Sequence, residues 1–158
     1  MRRKDRQITD LEAIRAILDK AKVLHLAMID GARPYVVPLN YGYTLADGRL
    51  TLYLHSAKEG RKLDVLRQND RVAFVLETNV SQVSGGDIPC KYGEAYASVM
   101  GEGRAVLLTD SAEKMAALSI LMKTQTGREF AFTPAMAESV AVIRVNVDSF
   151  TAKARPMA

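Results

Sequence analysis

The stretch from Leu50 to Lys62, closing on Leu63, constrains this chain more than any other, because it joins a strand to a helix with almost no connection. Thr51, Tyr53 and the leucines around them suit a pleated, half-buried surface. Leu63 and Leu66, three apart, mark one face of a following helix. The pattern predicts a strand ending at His55 and a helix opening with Lys58, Arg61 and Lys62 in its first turns. Ser56 is the candidate N-cap, and Glu59 three residues on completes a capping-box spacing. Free N–H groups and the positive end of a helix dipole favour an anion at such a junction. Three cations add to that field, and Gly60 removes a side chain where a ligand could approach closely. The junction is therefore a candidate phosphate seat, although the same spacing also describes an ordinary capped helix with solvated basic residues. It is not a Walker loop, since no glycine-rich run precedes the lysine.

The rest of the chain reads as strands joined mainly by turns. Thr9 and Glu12 form a second capping-box pair ahead of a helix over residues 10–21, with Leu11, Ile14, Ile17, Leu18 and Ala21 on its apolar face. Residues 22–30 read as a buried strand containing His25, whose apolar neighbours suit a structural histidine. Asp30 and Gly31 make a turn, and residues 34–43 return as a second strand. Pro38 cannot donate to a ladder, so this strand should lie at an edge or carry a bulge there, leaving backbone groups for water or a ligand. A turn at Asp47 and Gly48 leads into the central strand. A further strand spans residues 71–79, a polar loop residues 80–89, and a long strand residues 95–108, with Gly101 and Gly103 marking a bend or bulge. Asp110 or Ser111 caps a helix bearing Met115, Leu118, Leu121 and Met122. A loop over residues 127–134 precedes a last strand over residues 140–147 and a basic tail. Six strands, many joined as hairpins, predict a mainly β fold: an antiparallel barrel with flanking helices. The 158 residues make one domain, residues 1–158, with an ordered core over about 8–148.

Composition narrows the function. The formal charge of +4 is mild and much of it lies at the ends, in Arg2, Arg3, Lys4, Arg6, Lys153 and Arg155. No basic stripe with stacking aromatics is present, so nucleic acid is not the expected partner and a small anionic molecule is. The one cysteine, Cys90, excludes an intrachain disulfide and reads as a half-buried small hydrophobe. The two histidines have no partner at metal-ligand spacing. No apolar run reaches the ~18 residues of a membrane span, and the charged N-terminal stretch lacks a signal-like apolar core. A cytoplasmic protein is expected.

Three blocks in register add a resemblance: Arg33 to Asn40, Leu52 to Lys62, and Tyr96 to Ala105. With them the chain resembles the FMN-binding split-barrel superfamily typified by pyridoxamine 5′-phosphate oxidase, and more closely its 5-nitroimidazole resistance branch. The resemblance implies a six-stranded antiparallel split barrel and a homodimer with two flavin sites at its interface. It further implies that Tyr35, Val36, Val37, Pro38 and Asn40 lie along the flavin ring, largely through main-chain groups. Leu54 and His55 would line the ring, and Arg61 and Lys62 would hold its phosphate; Ser56 and Lys58 join the cofactor-binding candidates from the anion seat read above. Ser98 would reach the cofactor from a neighbouring strand or subunit. His55 would act as the catalytic residue, hydrogen-bonding a substrate oxygen or supplying a proton, or would only pack on the ring. The implied activity is FMN-dependent reduction of small planar acceptors such as nitroaromatics. The alternative is a non-catalytic carrier of flavin, deazaflavin or haem, with His55 or His25 as a haem ligand. The chain has no Trp, and its end does not reproduce the basic and aromatic constellation of the vitamin B6 oxidases.

Overall fold

The computed structural model describes residues 3–155. Arg2, counted above among the basic N-terminal residues, lies outside them. Chain order is β1 (Gln7–Ile8), α1 (Leu11–Lys20), β2 (Val23–Asp30), β3 (Arg33–Ala46), β4 (Arg49–Ser56), α2 (Arg61–Gln68), β5 (Arg71–Val83), β6 (Gly93–Leu107), α3 (Ser111–Thr126), α4 (Pro134–Glu138) and β7 (Ala141–Arg155), with short 3-10 turns at Lys4–Arg6 and Pro89–Lys91. All pairings are antiparallel, in the order β1-β7-β4-β3-β2-β5-β6, and β6 also pairs with β7. That last pairing closes the six long strands into a ring, the expected split barrel, with the two-residue β1 added outside β7.

Strand alternation explains what fills the ring. Leu24, Leu26 and Met28 of β2, Leu50, Leu52 and Leu54 of β4, and Val72, Phe74 and Leu76 of β5 recur every second residue and are buried together. Side chains, not solvent, occupy the interior of so small a barrel. Ile14, Ile17 and Leu18 of α1 join this core. The fully buried Tyr41 ties β3 to α1 by donating its hydroxyl to the Leu18 carbonyl at 2.7 Å. A smaller cluster of Leu108, Ala117, Leu118, Ala137 and Val142 seats α3 and α4 outside the barrel. There α3 comes so near β3 that a Cβ on Gly42 would stand 2.4 Å from the Leu121 Cα.

The structure corrects several expectations. Asp10, not Thr9, caps α1, its carboxylate accepting from the Ala13 N–H at 2.8 Å. Asp110 caps α3 as expected, through the Glu113 N–H. The polar stretch after Asn79 continues β5 to Val83, past a register shift between Thr78 and Ser81. The stretch after Val147 is not a tail: β7 runs to Arg155, pairing with β6 throughout and with β1 at Ala152 and Lys153. The expected irregularity at Gly101 and Gly103 is a register shift between Glu102 and Gly103. Cys90 is exposed, because it lies in a surface 3-10 turn.

One face of the sheet keeps a large apolar surface. Val23, Ile29, Val36 and Met100 are 41%, 49%, 53% and 45% exposed. The ladders set them side by side: Val36 opposite Ala27, Pro38 opposite His25, His25 opposite Val75, and Val75 opposite Met100. This strip crosses four strands on their outer side.

Candidate functional site

The site begins where the barrel splits. β3 pairs with β4 only from Tyr41 to Ala46, and with β2 only from Arg33 to Asn40. Beyond the last shared pair, Tyr41 with Leu54, the two strands part, and residues 33–40 keep an open edge. The β2–β3 ladder passes Pro34 and Pro38 without a register shift. Both prolines therefore turn their missing N–H toward the open side, where no ladder bond is lost. This is the edge that Pro38 predicted. Val36 and Asn40, of the same parity, direct their N–H groups to that side as well. The prolines between them blunt the edge against pairing with another strand.

His55 stands on the opposite lip. Leu50, Leu52 and Leu54 face the core, so alternation turns Thr51, Tyr53 and His55 outward. A pocket of about 260 Å³ lies between the lips, lined by Val23, Pro38, Leu39, Asn40 and His55. The His55 Nδ1 is buried and has no hydrogen-bond partner among the described residues, a costly state for a polar atom. The facing lip is braced by α3: Gln125 donates to the carbonyls of Tyr41 at 2.7 Å and Lys22 at 3.1 Å. Asn40 also donates to the Lys22 carbonyl, at 3.1 Å.

The candidate phosphate seat is built differently from its sequence pattern. Ser56 ends β4, and its hydroxyl donates to the Ala57 carbonyl, so the Ser56–Glu59 capping box does not form. The chain instead turns at Gly60 (φ 134°, ψ 161°), and α2 starts at Arg61, which leaves Lys58 in the exposed bend before it. Gly60 offers no side-chain cap, and only the N–H groups of Leu63 and Asp64 return to its carbonyl. The first-turn N–H groups of Arg61 and Lys62 have no intrahelical acceptor. Lys62 is half-buried and has no acidic partner among the described residues, and burial lowers its pKa. Arg61 is already engaged. Its Nε and Nη2 contact one oxygen of Asp30 at 2.9 and 2.8 Å, and its guanidinium stacks 4.4 Å from the centre of the Tyr35 ring.

The family model for pyridoxamine 5′-phosphate oxidase matches residues 10–154. The chain belongs to the pyridoxamine 5′-phosphate oxidase family. Among solved structures, it is similar to a candidate 5-nitroimidazole antibiotic resistance protein from Bacteroides thetaiotaomicron, with 33% identity over 94% of this chain and 86% of that one, and a TM-score of 0.78. An FAD-binding protein from Mesorhizobium loti shares 25% identity over 95% of this chain and 97% of the other, with a TM-score of 0.65. An FAD- and haem-binding protein from Mycobacterium smegmatis, 17% identical over 94% and 73% of the two chains with a TM-score of 0.77, shares the fold. No curated protein matches the sequence.

Within this pyridoxamine 5′-phosphate oxidase fold, the residues named from sequence fall into groups. Pro38, Asn40 and His55 share the pocket, and Val36 shares its open edge. Tyr35 and Val37 turn inward against the core, and Leu54 is fully buried in it, so only its main chain reaches the split. Ser98 is buried on the outer face of β6, opposite Glu77 of β5. Leu24 pairs with Leu76, which sets Val23 level with Glu77. Ser98 therefore stands three strands from Asn40, roughly 14 Å at ordinary strand spacing, and outside the pocket. Asp30, Val23, Leu39 and Gln125 were missed. Asp30 carried only its turn signal with Gly31, and the contact of Gln125 spans 84 positions.

Among the described residues, no group of three or more His, Cys, Asp or Glu side chains could hold a metal ion. No described helix is long and apolar enough to cross a membrane.

Proposed function

We propose that this chain is a flavoprotein that binds FMN in the split between β3 and β4 and reduces small planar acceptors such as nitroaromatics. The observation that carries this reading is the pocket between β3 and β4, with the His55 side chain on one wall and an open strand edge on the other. A flat ring bearing carbonyl and N–H groups fits between them. The uncapped start of α2, with Lys62 lacking a counter-ion among the described residues, suits a phosphate at the end of a ribityl-like chain. The FAD-binding protein from Mesorhizobium loti, 25% identical, supports a flavin as the ligand class.

In this reading the backbone of Val36 and Asn40 would hold the ring, while Lys62 and the first-turn N–H groups of α2 would hold the phosphate. Bound flavin supplies the two-electron chemistry, and the protein supplies position and electrostatics. The His55 imidazole stands beside the ring on the acceptor side, where it would hold or pass a proton to the acceptor. Pro38 and Val23 keep that region apolar and limit access of water.

The functional unit is a homodimer formed through the apolar outer face of β3, β2, β5 and β6. A monomer rarely keeps so many large side chains exposed in one continuous strip. The pocket adjoins this face through Val23 and Pro38, and Ser98 lies on it, so a second copy brings its own residues to the cofactor.

The test is anaerobic reduction of a 5-nitroimidazole by the FMN-loaded protein under a chemical electron donor, with His55→Ala alongside. Turnover that falls in His55→Ala without loss of bound FMN supports the reading. FMN uptake with no nitro reduction supports a flavin carrier instead.

A further inference from the structure

Asp30 occupies the place at Arg61 that an anion would take. It ends β2, at the mouth of the β2–β3 hairpin, whereas Arg61 is the first residue of α2. One carboxylate oxygen receives both Nε and Nη2 of the guanidinium, the edge with which arginine grips phosphate. Tyr35 below the guanidinium fixes its plane. Of the two adjacent cations at the start of α2, Lys62 has no counter-ion among the described residues and Arg61 has its own.

Building on the flavin reading above, we infer that Asp30 is an affinity-setting residue that competes with the cofactor's phosphate for Arg61. Arg61 has a side chain 58% exposed and Asp30 one 34% exposed. A pair so accessible to water is weakly held, and a dianionic phosphate beside the helix dipole displaces it readily. Asp30 therefore lowers the affinity for phosphate-bearing flavin and leaves the ring contacts alone. It also links cofactor binding to the hairpin, because release of Arg61 frees the end of β2 and the face of Tyr35.

Dissociation constants of FMN and of riboflavin, which lacks the phosphate, test this in the wild-type protein, Asp30→Asn, Arg61→Ala and the double variant. Asn keeps the shape of Asp and removes its charge, so the hairpin is preserved. Asp30→Asn is expected to bind FMN about three- to fivefold more tightly, the scale of one exposed charge pair, with riboflavin unchanged. The gain disappears in the Arg61→Ala background and shrinks in high salt. Unchanged or weaker FMN binding in Asp30→Asn overturns the inference, because Asp30 then supports Arg61 or does nothing. An equal change for FMN and riboflavin overturns it too, since the effect then runs through the hairpin and not the phosphate. If the wild-type protein binds neither molecule, the flavin reading itself fails and the inference falls with it.

Discussion

His55 on β4 and Asn40 on β3 are the first residues past the point where their strands stop pairing. One more rung of ladder would have brought them together. Instead the strands diverge around a pocket, with the His55 side chain on one side and an open strand edge on the other. The seat at α2 follows five residues after β4 ends, so one short stretch supplies both ends of the site.

In the proposed flavin site, anchoring and chemistry fall to different residues. Lys62→Ala is expected to weaken FMN binding by about tenfold or more, the loss of one charge-assisted contact, and to leave riboflavin binding unchanged. His55→Ala is expected to keep FMN and lose turnover. Fluorescence titration with both flavins, alongside anaerobic kinetics, reads the two effects. Equal loss of binding in both variants would make His55 an anchor and not a catalytic residue.

The lowered pKa of Lys62 gives a pH signature. Burial disfavours its charged form, so the ammonium is present below a pKa under the ordinary 10.5 and is lost as pH rises through it. FMN affinity should be full near neutrality and fall in the alkaline range before an ordinary lysine would titrate. Riboflavin should show no such fall. Lys62→Arg keeps its charge throughout and should flatten the profile, measured as dissociation constant against pH.

The apolar strip predicts assembly. Met100, 45% exposed at the β6 end of the strip and opposite Val75, tolerates a lysine in a monomer but not in a desolvated interface. Met100→Lys should shift the protein from dimer to monomer in sedimentation and lower FMN occupancy, with little loss of secondary structure. A wild-type protein that sediments as a monomer at micromolar concentration would remove the interface from the account.

Gly42 tests the brace behind the pocket. A Cβ there meets the Leu121 backbone, not a flexible side chain, so Gly42→Ala must push α3 away from β3. A cost of about 1–3 kcal/mol is expected, read from chemical denaturation. Flavin affinity should fall with it, since Gln125 then loses its hold on Tyr41 and Lys22.

The barrel was legible because its strands alternate with period two and its hairpins carry strong turn pairs, and Pro38 marked the split by chemistry alone. The errors share a physical cause. Ser56 and Glu59 have the spacing of a capping box, yet the chain needs the positive φ of Gly60 to leave the strand and enter α2. Asp148, Ser149, Thr151 and Lys153 look like a tail because their polarity is that of an outward face, while β6 and β1 supply the pairing that makes them strand. The capture of Arg61 by Asp30 depends on how α2 docks against β2, which no local pattern encodes. Pro38, Asn40 and His55 of the pocket were visible in sequence, whereas Val23 and Leu39 beside them and Gln125 of α3 that braces them were not.

The measurement that bears most directly on the account is the absorbance spectrum of the purified protein before and after addition of FMN, with the bound cofactor released and counted. Flavin bands and about one FMN per chain are expected, with lower occupancy once the phosphate contact is removed in Lys62→Ala. A protein that carries no flavin and takes up none, or that shows a haem Soret band instead, would contradict it.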